Sequence, residues 1–161
     1  MKIITSRTNQ IVKQICSLHT KKGRATHKQY IAEGVRTIET MLANNHNKSS
    51  LIQLYITQSN PLSIDCHEEL ITQVTPEVMQ KISSSKNPCG YLAVFAIPEN
   101  MPTKNALELS RGIVLANITD PGNMGTLIRT AAAVNAATVV VIEGTDPWSP
   151  KVIQASTGTI A

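Results

Sequence analysis

Aromatic residues are scarce in this chain of 161 residues: one Trp, three Tyr and one Phe. The core must therefore rest on Ile, Leu, Val, Ala and Met. An RNA reader built on stacked rings, which needs two or three exposed aromatics on adjacent strands, is disfavoured. Cysteine is sparse too. Cys16, Cys66 and Cys89 are odd in number and far apart, which fits neither a disulfide framework nor a zinc site and points to a reducing compartment, the cytoplasm by default. The four His have no metal-ligand spacing, and no apolar run reaches signal-peptide or membrane-spanning length. Acid is missing from the first 32 residues, whereas seven of the fifteen Lys and Arg fall within the first 28. Such a one-sided block suits phosphate neutralisation, although a solvated basic face that aids solubility is the other reading.

What is present alternates between strand and helix patterns. Thr8 or Asn9 can cap a helix whose stripe is Ile11, Val12, Ile15 and Leu18. His19 to Lys28 is polar and basic, contains Gly23 and reads as a mobile loop. Strand patterns follow at Gln29 to Glu33, Leu51 to Thr57, Ile71 to Val74 and Gly90 to Ile97, with helices from Val35 and from Pro76. Residues 1–98 thus predict a small α/β sandwich with some parallel pairing. Residues 99–105, with Pro102, form the expected linker. From residue 106 the texture changes. Gly112 to Ile118 and Thr138 to Ile142 are apolar runs suited to strands covered on both faces, and helices follow near Asn123 and Ser149. This βαβα order predicts a parallel sheet with a right-handed crossover. Two buried strands alone cannot cover both faces of such a sheet, so the second unit is expected to be marginal by itself and the chain to be part of a longer one, unless the first domain or a partner chain covers the gap.

The chemistry-bearing stretch is Asn117 to Ala133. A strand runs into Asp120-Pro121-Gly122, and a helix opens at Asn123. Gly122 and Gly125 allow close backbone approach where open α/β sheets place ligands. The turn lacks G-x-G-x-x-G and the P-loop Gly-Lys-Ser/Thr, leaving only a weak case for a nucleotide phosphate site. Thr126 and Arg129 share one helix face. Arg129 reads either as a surface arginine paired with Asp120 or as an active-site guanidinium. Ser149 and Ser156 have no partnered His and Asp, so nucleophilic catalysis is unsupported.

The run Asp120-Pro121-Gly122-Asn123-Met124-Gly125-Thr126-Leu127-Ile128-Arg129-Thr130-Ala131 resembles the first motif of the SpoU/TrmH-type RNA methyltransferases of the SPOUT superfamily. Pro150-Lys151-Val152 through Ala155-Ser156-Thr157-Gly158 resembles the second. Ser6-Arg7-Thr8-Asn9, Lys13, Arg24 and Tyr30 to Arg36 are similar to the RNA-binding domain that often precedes them. The resemblance implies methyl transfer from S-adenosylmethionine to a ribose 2′-hydroxyl of structured RNA, ribosomal RNA above all. It places Arg129 and Asn123 in the catalytic site, Ser156 and Gly158 near the cofactor, and Arg7, Lys13, Arg24 and Arg36 on the RNA backbone. It further implies a ribosomal-protein-like first domain, the start of a knotted parallel-sheet domain from 106 to 161, and a homodimer for the intact enzyme. A third motif, which supplies much of the family's cofactor site, has no counterpart here, so the main cofactor site is expected beyond Ala161. These 161 residues alone are therefore expected to bind S-adenosylmethionine weakly and to be inactive. The reading from another class is a non-catalytic RNA-binding protein.

Overall fold

The structure, a computed structural model, describes residues 2–43, 50–60, 64–98, 112–136 and 138–160. The expected linker, 99–105, and the expected start of the second domain at 106 lie outside the described residues. So does Ala161, the residue beyond which the main cofactor site is expected.

The first unit is a five-stranded mixed sheet in the order β1-β4-β3-β5-β2. Its strands are β1 (Lys2–Ile4), β2 (Gln29–Glu33), β3 (Leu51–Thr57), β4 (Ile71–Val74) and β5 (Tyr91–Ala96). β1, β4 and β3 run parallel, whereas β5 pairs antiparallel with both β3 and β2. Alternation along β5 divides the core in two: Tyr91, Ala93 and Phe95 face one cluster, Leu92 and Val94 the other. Helices α1 (Gln10–Ser17) and α4 (Pro76–Ile82) cover the second cluster with Val12, Ile15, Val78, Met79 and Ile82. Helix α3 (Val35–Ala43) covers the first with Ile38, Met41 and Leu42. The result is the expected α/β sandwich, in three layers.

Caps explain where the helices begin. The Asn9 side chain accepts from the Ile11 amide at 2.8 Å, and Thr75 caps α4 with Pro76 at its first turn. Two elements depart from the sequence reading. β1 was hidden because three residues carry no periodicity. His19 to Lys28 is a helix, α2 (Lys21–His27), rather than a loop. The Thr20 hydroxyl caps it by accepting from the Gly23 amide at 3.0 Å, and Lys28 ends it in the left-handed region. Gly23 marks close packing rather than freedom, since a Cβ there would run into the Ser17 carbonyl oxygen.

The second unit pairs β6 (Gly112–Ile118) and β7 (Thr138–Gly144) in parallel, as their order predicts. Helix α5 (Pro121–Ala133) connects them and α6 (Pro150–Ala155) follows. One face is filled by Leu115, Met124, Ile128 and Val152. The other is not covered by any described residue: Val114 is 62% exposed and Ile142 52%. Both strands were expected to be buried on both faces, and they are buried on one.

Candidate active site

β6 and β7 end together, and their ends are unusual. Asn117 (φ 53°) and Glu143 (φ 59°) are both non-glycine residues in the left-handed region, on adjacent strands. Such backbone is costly and concentrates at functional sites. The Thr145 amide donates to the Ile118 carbonyl at 2.8 Å, tying the exit of β7 to the exit of β6. Beyond these ends Asp120 caps α5, its Oδ1 accepting from the Asn123 amide at 2.7 Å, with Pro121 at the first helical position.

A groove of about 440 Å³ opens at this corner, lined by Asn117, Thr119, Asp120, Asn123, Thr126 and Leu127. It lies at the carboxyl ends of parallel strands, where open α/β sheets bind ligands. The Asn123 side chain is exposed and makes no hydrogen bond to a described residue. The hydroxyls of Thr126 and Thr130 instead fold back onto the Gly122 and Thr126 carbonyls, both at 2.9 Å. Arg129 is exposed, one turn beyond Thr126 and outside the groove's own lining. The pairing with Asp120 that the sequence allows is not made, and among the described residues the guanidinium has no ion-pair partner.

Gly125 sets how α5 and α6 meet. A Cβ on it would collide with the Ala155 Cβ and stand 2.9 Å from both the Ser156 nitrogen and the Val152 carbonyl oxygen. Ser156 is fully buried and donates its hydroxyl to the Ile153 carbonyl at 3.1 Å. Gly158 is buried against the Thr37 carbonyl of α3. The two residues expected beside a cofactor thus face protein, Ser156 through a satisfied hydroxyl and Gly158 through packing.

The cations expected on RNA are not gathered on one face. Arg7, Lys13 and Arg36 are exposed. Lys13 stands on α1 and Arg36 on α3, on opposite sides of the sheet. Arg7 lies near the first turn of α4. There the Glu77 carboxyl is held below the usual carboxylate range by its own amide, then by the Thr75 hydroxyl, and least by Arg7.

Arg24 departs from expectation altogether. It is 4% exposed and buried at the junction of the two units. Its Nε and Nη2 donate to Asp146 Oδ2 at 2.8 and 2.6 Å, and its Nη1 donates to the Leu18 carbonyl at 2.8 Å. Asp146 Oδ1 accepts from the Trp148 amide at 3.0 Å. The Trp148 ring lies 4.8 Å from that of Tyr30, which stacks on Phe95 at 5.7 Å. Burial there pushes the Tyr30 phenol well above its ordinary value. Arg24 has no face left for a phosphate. Asp146 and Trp148 escaped the sequence reading, and the one available signal was the presence of the sole Trp in a chain poor in rings.

Among the described residues no group of three or more His, Cys, Asp and Glu could hold a metal ion, and no helix is long and apolar enough to cross a membrane.

Family models match both halves of the chain. Residues 9–93 match an MRM3-like substrate binding domain, and residues 110–161 match the SpoU rRNA Methylase family. The chain belongs to the SpoU/TrmH RNA methyltransferases. Among SpoU relatives, an uncharacterized tRNA/rRNA methyltransferase of Synechocystis is 34% identical over 97% of this chain and 58% of its own length. The 23S rRNA (guanosine(2553)-2′-O)-methyltransferase RlmP of Bacillus subtilis is 29% identical over 99% of this chain and 62% of its own. The chain therefore spans about three fifths of these curated relatives. The crystal structure of an AdoMet-bound rRNA methyltransferase from Sinorhizobium meliloti superposes with a TM-score of 0.79 at 27% identity, covering 99% of this chain and 61% of that one. The SpoU/TrmH fold accounts for the mixed sheet, the parallel pair and their order.

Proposed function

We propose that this chain serves the S-adenosylmethionine-dependent methylation of a ribose 2′-hydroxyl in structured RNA, ribosomal RNA first. The observation that carries the reading is Arg129: an exposed guanidinium without an ion-pair partner among the described residues, one turn beyond the groove at the strand ends. A guanidinium stays protonated in proteins, so Arg129 does not act as the base. It holds the phosphate next to the target ribose through a forked pair of hydrogen bonds and stabilises negative charge as it develops on the 2′-oxygen. That fixed geometry aligns the oxygen, while the proton leaves to the phosphate or to water. Asn123, with its amide unengaged, orients the ribose from the groove wall. Arg7, Lys13 and Arg36 supply phosphate contacts on the first unit; Arg24 does not.

S-adenosylmethionine, when bound, supplies an electrophilic methyl group on a sulfonium. The described residues do not fit a site for it, because Ser156 and Gly158 are turned into protein. They provide the acceptor side of the reaction, and the reading keeps the main cofactor site beyond Ala161. The cytoplasm, consistent with three free cysteines, and assembly as a homodimer belong to the same proposal.

The test is ribose-methylation mapping of total RNA from cells carrying the intact gene, the deleted gene or Arg129→Ala. The expected result is one position that loses its methyl group in both altered strains, with normal levels of folded protein in the Arg129→Ala strain. Full methylation in the Arg129→Ala strain would refute the role of Arg129. The inward-facing Ser156 favours a second reading, a non-catalytic RNA binder, for which no position would depend on the gene.

A further inference from the structure

A second cleft lies between the two units, with a volume of about 550 Å³, within the roughly 300–1,000 Å³ typical of ligand clefts. Ser84, Ser85, Asn87 and Cys89 line it from the first unit, Lys151 and Gln154 from α6. The serine loop is held in place before any ligand arrives. Glu33 accepts from the Ser83 hydroxyl, from the Ser84 amide at 2.7 Å and from the Ser84 hydroxyl at 2.6 Å. The Ser85 amide donates to the Ser83 hydroxyl at 2.9 Å, and Gln80 donates to the Lys86 carbonyl at 3.1 Å. Both oxygens of the cleft's acid are thereby occupied by donors. The side chains of Asn87, Lys151 and Gln154 remain exposed and without a partner among the described residues.

We infer that this cleft holds the sugar–phosphate backbone of the RNA strand whose ribose reaches Arg129. Its lining offers amide donors, hydroxyl oxygens and one ammonium, which suit phosphate and 2′-hydroxyl oxygens. Its lining contains no aromatic ring on which a base could stack. Its wall also reaches the helix that carries Arg129. Ala155, on its wall, meets Gly125, and Gly125 lies one turn from Arg129 on α5. The inference rests on the RNA-methylation reading above and adds the path by which the strand enters.

Cys89 provides a readout separate from activity. The whole chain is mixed with partially hydrolysed large-subunit ribosomal RNA, alkylated with a thiol reagent, and the modified peptides are counted, with Cys16 and Cys66 as internal references. Saturating RNA is expected to slow alkylation of Cys89 several-fold. The triple variant Asn87→Ala, Lys151→Ala, Gln154→Ala is expected to bind this RNA at least about ten-fold more weakly, with a salt slope shallower by about one. All three side chains are exposed, so the core is untouched, and Trp148 fluorescence checks the fold. Lys13→Ala should weaken binding yet leave Cys89 protected at saturation. If RNA binds but Cys89 reacts as before and the triple variant binds like the parent, the cleft is excluded while the RNA reading stands. If no RNA binds even at low salt, both fall.

Discussion

The two sheets of this molecule reach order by different routes. The five-stranded sheet is covered on both faces, with fourteen buried residues in one cluster and twelve in the other among the described residues. Among the described residues the two-stranded sheet has a cluster of four, and none of them covers its outer face. At about 1.5–3 kcal/mol per fully buried large apolar side chain, four residues cannot offset the ordering of two strands and two helices. The second unit leans on the first. Ile153 of α6 belongs to the first unit's core, and Trp148 and Ile160 pack against it. The segment that carries the family's second motif is thus part of the wall of the first unit, and the strained strand ends project from a base they do not build themselves.

Four single substitutions put that contrast at risk. Arg24→Met leaves Asp146 unpaired at the junction, and breaking a buried pair costs about 3–5 kcal/mol. A urea titration followed by Trp148 fluorescence should show the largest loss, with the double variant Arg24→Met, Asp146→Leu recovering much of it. An unchanged midpoint in the single variant would mean that the units do not depend on their junction. Gly125→Ala drives a methyl group into Ala155 at the contact of α5 and α6. Overpacking of this kind costs about 1–3 kcal/mol, and the thermal midpoint should fall accordingly. The smallest effect is expected on the outer face. Ile142→Thr, at a side chain 52% exposed, should stay within about 0.5 kcal/mol, whereas Val94→Thr in the first core should cost about 1–3 kcal/mol. Equal costs would show that the outer face is covered in solution.

Elements with periodicity or a capping residue were legible in the sequence. β2, β3 and β4 fall where the strand patterns lie, and α4 starts at the Thr75-Pro76 signal. The parallel pairing of β6 with β7 followed from their order alone. β1 was invisible because Lys2–Ile4 gains its place from pairing with Ile71–Val74, far along the chain. α2 is not legible in the sequence because Gly23 signals flexibility there, whereas in the fold it serves close packing. At the site, the Asp-Pro-Gly corner and the exposure of Arg129 were legible, since both depend on local sequence. Arg24 could not be read correctly. A basic residue in a basic stretch looks solvated, and only the tertiary fold brings Asp146 to it. Glu33 ends a strand pattern in the sequence, and its bonds from the serine loop were not legible there, because Ser83 and Ser84 lie 50 and 51 residues away.

The pair formed by Arg24 and Asp146 joins positions 122 residues apart, one in each half that the family models match. Its consequence is one of heredity. The first half of this protein cannot be exchanged among relatives as a free cassette, because a graft carrying a different residue at 24 would strand the acid at 146. Chimeras that transplant both positions together should assemble, and those that transplant one should not.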